Sequence, residues 1–68
     1  MKPKYNVGDK VKFYDNEFQE ERVVTIISLD DAEEHPMHEV QESGEQFTWY
    51  LSEELIIGLA WFEQLTYP

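Results

Sequence analysis

The chain has 68 residues, with fifteen Asp and Glu against five Lys and Arg, a formal net charge of −10, ten aromatic residues and no cysteine. That length admits one domain, 1–68, and excludes a second; at this size only about 60 % of the unfolded surface is buried, so the core must come from aromatic and branched side chains. Without cysteine there is neither a disulfide nor a thiolate metal site, which fits a reducing cytoplasm.

All five cations (Lys2, Lys4, Lys10, Lys12, Arg22) lie in the first 22 residues, where five acids cancel them, and Val23 to Pro68 carries ten acids and no Lys or Arg. Such a surface repels phosphate backbones and anionic lipid heads and favours a basic partner or none, since acidity also serves solubility alone. The N-terminal residues form no apolar run of signal-peptide length, and the longest apolar stretch, Leu55 to Phe62, is too short to span a bilayer. The expectation is a soluble cytoplasmic protein.

In chain order, Gly8-Asp9 is a turn dipeptide, and Val11 and Phe13 alternate with Lys10 and Lys12 as in a half-buried strand near 10–14. Asp15 to Glu21 is a polar loop with Phe18 as the one side chain able to pin it. Arg22 to Leu29 is the strongest strand by β-branched content. Apolar side chains on both its faces predict a central or strongly curved strand whose second face is covered by other residues. Asp30 to Pro36 breaks into a solvated loop, and Met37 to Glu42 resumes a strand that sets His38 and Val40 against Glu39 and Gln41.

Ser43-Gly44 has the spacing of a tight hairpin, with glycine supplying positive φ. The return strand, Gln46 to Leu51, points Phe47, Trp49 and Leu51 inward and Thr48 and Tyr50 outward. Ser52 is a good N-cap and Glu53-Glu54 suits the first turn of a helix or of one 3₁₀ turn. Leu55, Leu59, Phe62 and Leu65 recur near helical spacing, whereas Ile56-Ile57-Gly58 opposes a helix. One short turn followed by a strand near 55–60 is the favoured reading; a helix from 53 to 65 packed on a four-stranded sheet is the alternative.

Taken together, Tyr5-x-Val7-Gly8-Asp9-x-Val11, Val23-Val24-Thr25-Ile26, the hairpin at Ser43-Gly44 and Thr48-Trp49-Tyr50-x-Ser52-Glu53-Glu54-Leu55 resemble the small SH3-like β-barrel proteins of bacteria and phages. The resemblance covers roughly residues 5–57 and leaves 59–68 as a C-terminal extension. It implies an all-β fold: a five-stranded, partly open SH3-like barrel with one short 3₁₀ turn before the last strand. Members of this class bind peptides, nucleic acids or other proteins, so the barrel alone does not assign a function. Those that bind nucleic acid present basic loops, whereas the loops at Asp15 to Glu21 and Asp30 to Glu34 are acidic here. Peptide-binding SH3 domains set acidic loops beside aromatic grooves, as Tyr14, Trp49 and Tyr50 could, but the sequence does not match the eukaryotic signalling-domain signatures and proline-peptide recognition is not carried over.

Chemistry of other kinds finds little footing. His35 and His38 are three apart with a proline between them and no second ligand-dense segment, so they read as loop or strand-edge histidines and not as metal ligands. The paired acids Asp30-Asp31, Glu33-Glu34 and Glu53-Glu54 read as solvated, with ordinary carboxylate titration. No nucleophile motif or phosphate-binding glycine loop is present, so neither catalysis nor a cofactor is expected. Two functional readings follow. The first is a non-enzymatic protein-interaction module whose partner edge comprises Tyr50, Glu53, Glu54, Trp61 and Phe62. The apolar run Ile56 to Phe62 there either covers the Val23 to Leu29 strand or forms a patch for a partner or a second copy of the chain. The second is an acidic nucleic-acid mimic that inhibits a DNA- or RNA-binding defence protein through Asp30, Asp31, Glu33, Glu34, Glu39 and Glu42.

Overall fold

The structure, a computed structural model, describes residues 4–60. It is all-β: strands β1 (Lys10–Asp15), β2 (Glu20–Ser28), β3 (Met37–Glu42), β4 (Trp49–Ser52) and β5 (Ile56–Leu59) form one antiparallel sheet, with a single 3₁₀ turn, Glu53–Leu55, before β5. The spatial order is β4-β3-β2-β1-β5, so a four-strand meander is completed by a last strand that returns to the far side of β1. β4 and β5 are the two edges and share no ladder, which leaves the sheet open. Of the two readings that its apolar faces allowed, central or strongly curved, β2 is the central strand of the sheet.

Alternation places Val11 and Phe13 of β1, Val24 and Ile26 of β2, Val40 of β3 and Leu51 of β4 in one buried cluster. Tyr5, Leu29, Trp49, Ile56 and Leu59 pack around it, and Trp49 meets Phe13 edge to face with ring centroids 5.5 Å apart. Each fully buried aliphatic side chain contributes about 1.5–3 kcal/mol, so these few residues carry most of the driving force in a chain this short. The register shifts between Lys12 and Phe13 against β5, and between Ile26 and Ser28 against β3. An extra residue on one side of a ladder increases twist and bends the strand, and the two irregularities lie on the strands that must curl around the cluster.

Several expectations are corrected. The helical alternative fails over Glu53 to Leu59, where three residues of 3₁₀ turn give way to β5; its remainder lies largely outside the described residues. Ser52 makes no side-chain cap bond, and the Glu53 N–H instead donates to the Pro36 carbonyl at 2.9 Å, so the turn is anchored by the β2–β3 loop. Gly44 does adopt φ +86°, and Glu45 N–H closes on Glu42 O at 3.1 Å, yet the hairpin is not tight. The innermost β3–β4 pair is Val40 with Trp49, and β4 begins three residues later than the aromatic alternation predicts. Phe47 is consequently 60 % exposed and not in the core. Of the apolar run after the turn, Ile56 and Leu59 pack on the inner cluster, Ala60 is buried, and Ile57 is exposed. Val23 and Ile27, on the outer side of β2, also remain exposed, so within the described residues that run does not cover them.

Candidate functional site

Exposed apolar surface is concentrated in one place. Among the described residues ten large hydrophobic side chains are exposed, and six of them, Tyr14, Phe18, Met37, Phe47, Tyr50 and Leu55, line a single groove of about 550 Å³. Its walls come from the β1–β2 connection, the segment leading into β4, and the 3₁₀ turn; Phe13, Trp49 and Leu51 connect it to the core. Scattered single apolar residues are ordinary on a protein surface, but aromatic side chains converging on one concavity are a recognition feature.

Charged groups at this groove are tied to one another. The inward parity of β1, β2 and β3 that buries Phe13, Val24 and Val40 also brings Asp15, Arg22 and Glu42 together beyond the end of the core. The Arg22 guanidinium donates to Asp15 Oδ2 at 2.9 Å through Nη1 and to Glu42 Oε2 through Nη2. It also lies over the Phe18 ring, 5.7 Å from the centroid. The other Asp15 oxygen accepts the amides of Glu17 (2.9 Å) and Phe18 (3.3 Å), which fixes the start of the connection. Arg22 and then these amides hold the Asp15 carboxyl below the usual carboxylate range. Phe18, expected to pin the loop to the body, is instead 62 % exposed with its ring against the Arg22 guanidinium, and the start of the loop is held by Asp15. Glu17 is exposed at the rim.

A second polar cluster forms where the β2–β3 loop meets the 3₁₀ turn. His38, expected at a strand edge, is 1 % exposed, because it shares the inward parity of Val40 and lies opposite Leu51 in the ladder. Its Nδ1 accepts the Asp30 N–H at 3.1 Å and its Nε2 donates to Glu53 Oε1 at 2.8 Å. The Asp30 carboxylate accepts the Met37 amide at 2.9 Å and the Ala32 amide at 3.1 Å, and these bonds, in that order, place its titration below the usual range rather than at the ordinary value its solvated-loop reading implied. His35, exposed in the loop at φ +55°, bonds Glu54 Oε2 through Nδ1 at 2.6 Å. The two histidines therefore face two different glutamates and do not converge.

The other predicted positions are dispersed. Tyr50 is exposed and borders both the groove and a smaller cleft of about 350 Å³ with Ser28, Asp30 and Glu39. Glu53 is turned to His38 and Glu54 to His35, so the Tyr50–Glu53–Glu54 edge is not one face; Trp61 and Phe62 lie outside the described residues. Of the six acids read as a mimic surface, Asp31, Glu33 and Glu34 are exposed in the β2–β3 loop, while Asp30 is bonded within it. Glu39 accepts the Thr48 hydroxyl at 2.6 Å, and Glu42 belongs to the Arg22 network. Sequence reasoning missed Phe47 and Leu55 as groove residues, and the one available signal for Phe18 was its isolation in a polar loop.

Compared with known proteins, the chain matches no family model, no curated protein and no solved structure. Among the described residues no helix is long and apolar enough to cross a membrane.

Proposed function

We propose that this chain is a non-enzymatic protein-interaction module of SH3-like architecture that takes a basic, apolar segment of a partner protein into the groove between Phe18, Phe47 and Leu55. The strand order β4-β3-β2-β1-β5, with a 3₁₀ turn leading into the last strand, supports the SH3-like reading. The observation that carries the function is the convergence of six of the ten exposed large apolar side chains on one concavity. Its charged residues favour binding over proton transfer, because Arg22 holds Asp15 and Glu42 in a fixed bonded network. With Asp15, Glu17 and Glu42 against Arg22 alone, the groove carries excess negative charge, and the net charge of −10 extends that field. A cationic partner would be steered to it and a phosphate backbone repelled.

Selection from a random peptide library tests this reading. Enrichment of sequences combining Lys or Arg with aromatic or branched residues is expected, with amide shifts on binding confined to the groove walls, and the double substitution Phe47→Ser, Tyr50→Ser should abolish it. The nucleic-acid-mimic reading now rests on the exposed trio Asp31, Glu33 and Glu34. Ligands that map to that loop, disappear at high salt and ignore the aromatic substitutions would favour it over the groove.

A further inference from the structure

The His38 ring sits between a main-chain donor and a carboxylate, and that arrangement dictates its proton. A backbone N–H can only donate, so the Asp30 N–H at 3.1 Å requires a bare lone pair on Nδ1. The single ring proton is then on Nε2, directed at Glu53 Oε1 at 2.8 Å. In this state one neutral, buried imidazole connects the β2–β3 loop to the 3₁₀ turn. The connection is reinforced by Glu53 N–H to Pro36 O at 2.9 Å and by the Asp30 carboxylate on the Met37 and Ala32 amides.

We propose that His38 is an acid-operated latch: a proton taken from solvent by Nδ1 breaks its bond to the Asp30 amide and loosens the β2–β3 loop where it meets the 3₁₀ turn. Protonation sets two N–H groups face to face, an arrangement that cannot persist. The ring then carries a full positive charge among anions, which selects a second geometry. Two carboxylates belong to residues bonded to the ring: Glu53 from the turn, whose Oε1 meets Nε2, and Asp30 from the loop, whose amide donates to Nδ1. From the N-terminal segment Tyr5 adds a phenol near Glu53 that stays neutral in this range, its ionisation pushed up by burial and by Glu53. Leu51, opposite on β4, and Ile26 and Ser28 on β2 add no charge, Glu39 points to the other side of β3, and Glu54 is engaged with His35. Asp30, whose amide the ring releases, also carries a carboxylate to which the new Nδ1–H can turn. That carboxylate also accepts the Met37 and Ala32 amides, so turning it to the ring strains those bonds and shifts the loop. The latch thus exchanges an Asp30 amide donor for an Asp30 carboxylate acceptor, and it bears on the groove because Leu55 of the same turn forms part of its wall.

Long-range ¹⁵N–¹H correlation of the histidine rings from about pH 8 to about pH 5, with amide exchange measured in parallel, tests the latch on the free protein. The expected result is an Nε2–H tautomer for His38 at the upper limit. As that ring takes up its second proton, exchange of the Asp30, Ala32, Met37 and Glu53 amides should rise on the order of tenfold while Val24 and Ile26 hold. An Nδ1–H tautomer at the upper limit, or a ring that titrates with those amides unchanged, overturns the proposal. His38→Gln should remove the step. Should that variant not fold, Glu53→Gln keeps an acceptor for Nε2–H without its charge; the amide response must then follow the ring to its new midpoint, and a response left at the wild-type pH is a refutation. His35→Gln should leave the step intact, and its loss there would transfer the effect to the exposed pair. None of these readouts depends on what fills the groove.

Discussion

Asp15 serves three partners at once, and each draws on its negative charge: the Arg22 guanidinium and the Glu17 and Phe18 amides. A carboxyl held below its usual range by such bonds stabilises the fold only while ionised. Above about pH 4 both folded and unfolded forms are charged and the contribution is complete; as pH falls the unfolded chain takes up protons first, and the contribution is lost through the folded value. Asp30 has the same sign. Urea midpoints measured from about pH 7 down to about pH 3 should therefore fall on acidification, and Asp15→Asn should lower the neutral midpoint and flatten the decline. An equal decline in the variant would exclude Asp15 as a source. Single residues also show where the sequence misleads. Parity alone places His38 beside Val40, yet its polarity argued for an edge; the partners that make burial tolerable, Asp30 and Glu53, lie 8 and 15 residues away and are brought to it only by the fold. Phe47 is the converse, since its parity with Trp49 and Leu51 has no meaning before the strand begins. Phe47→Ala should change folding stability by no more than about 0.5 kcal/mol, as surface substitutions do, while weakening any groove ligand. A loss typical of a core aromatic, about 3–5 kcal/mol, would return Phe47 to the interior.

Elements were legible in proportion to the locality of their signals. β1 and β3 follow from alternation bounded by Gly8-Asp9, Pro36 and Gly44, and β2 from its β-branched run, because each pattern is written within a few residues. β4 was misjudged at its start, where only the partner strand decides how far pairing extends: Gln41 and Glu42 continue β3 along β2, but the chain opposite has left the ladder, with Gln41 Nε2 bonded instead to Glu45 O at 2.9 Å. At the 3₁₀ turn, the contest between helical spacing and the β-branched pair Ile56-Ile57 is decided by the vacant side of β1, whose inward residues Val11 and Phe13 need a neighbour and find it in β5. Gly44 is where this hairpin depends on local chemistry. At φ +86° an alanine has open space for its methyl group but the wrong backbone preference, so Gly44→Ala should cost about 1–2 kcal/mol through strain and not through contact. Thermal or urea unfolding reads this directly; an unchanged midpoint would show that the turn relaxes without loss, as a loosely paired hairpin end can.

At the scale of the molecule the dominant quantity is charge. Fifteen acids and five cations on 68 residues leave −10 to be distributed over a domain whose radius of gyration is 12.1 Å. Arg22 is committed to Asp15 and Glu42 and Lys12 lies 3.7 Å from Glu21, but pairing within the chain leaves its net charge unchanged. Composition made this legible at once, but the division of labour among the acids was hidden. Asp15, Asp30, Glu39, Glu42 and Glu53 hold loops and strands in register, whereas Asp31, Glu33 and Glu34 face solvent. Salt then acts in two opposed ways. The screening length shortens from about 30 Å at 0.01 M to about 8 Å at 0.15 M, which relieves repulsion across the folded molecule while leaving short, part-buried bonds such as Arg22–Asp15 nearly intact. The melting temperature should accordingly rise over that interval, and a fall would mean that exposed ion pairs outweigh the repulsion. Binding of a cationic peptide in the groove should weaken over the same interval through slower association. Contact with Phe18, Phe47 and Tyr50 does not depend on that field, so dissociation should change little. A salt effect confined to the dissociation rate would instead place the charges inside the interface rather than around it.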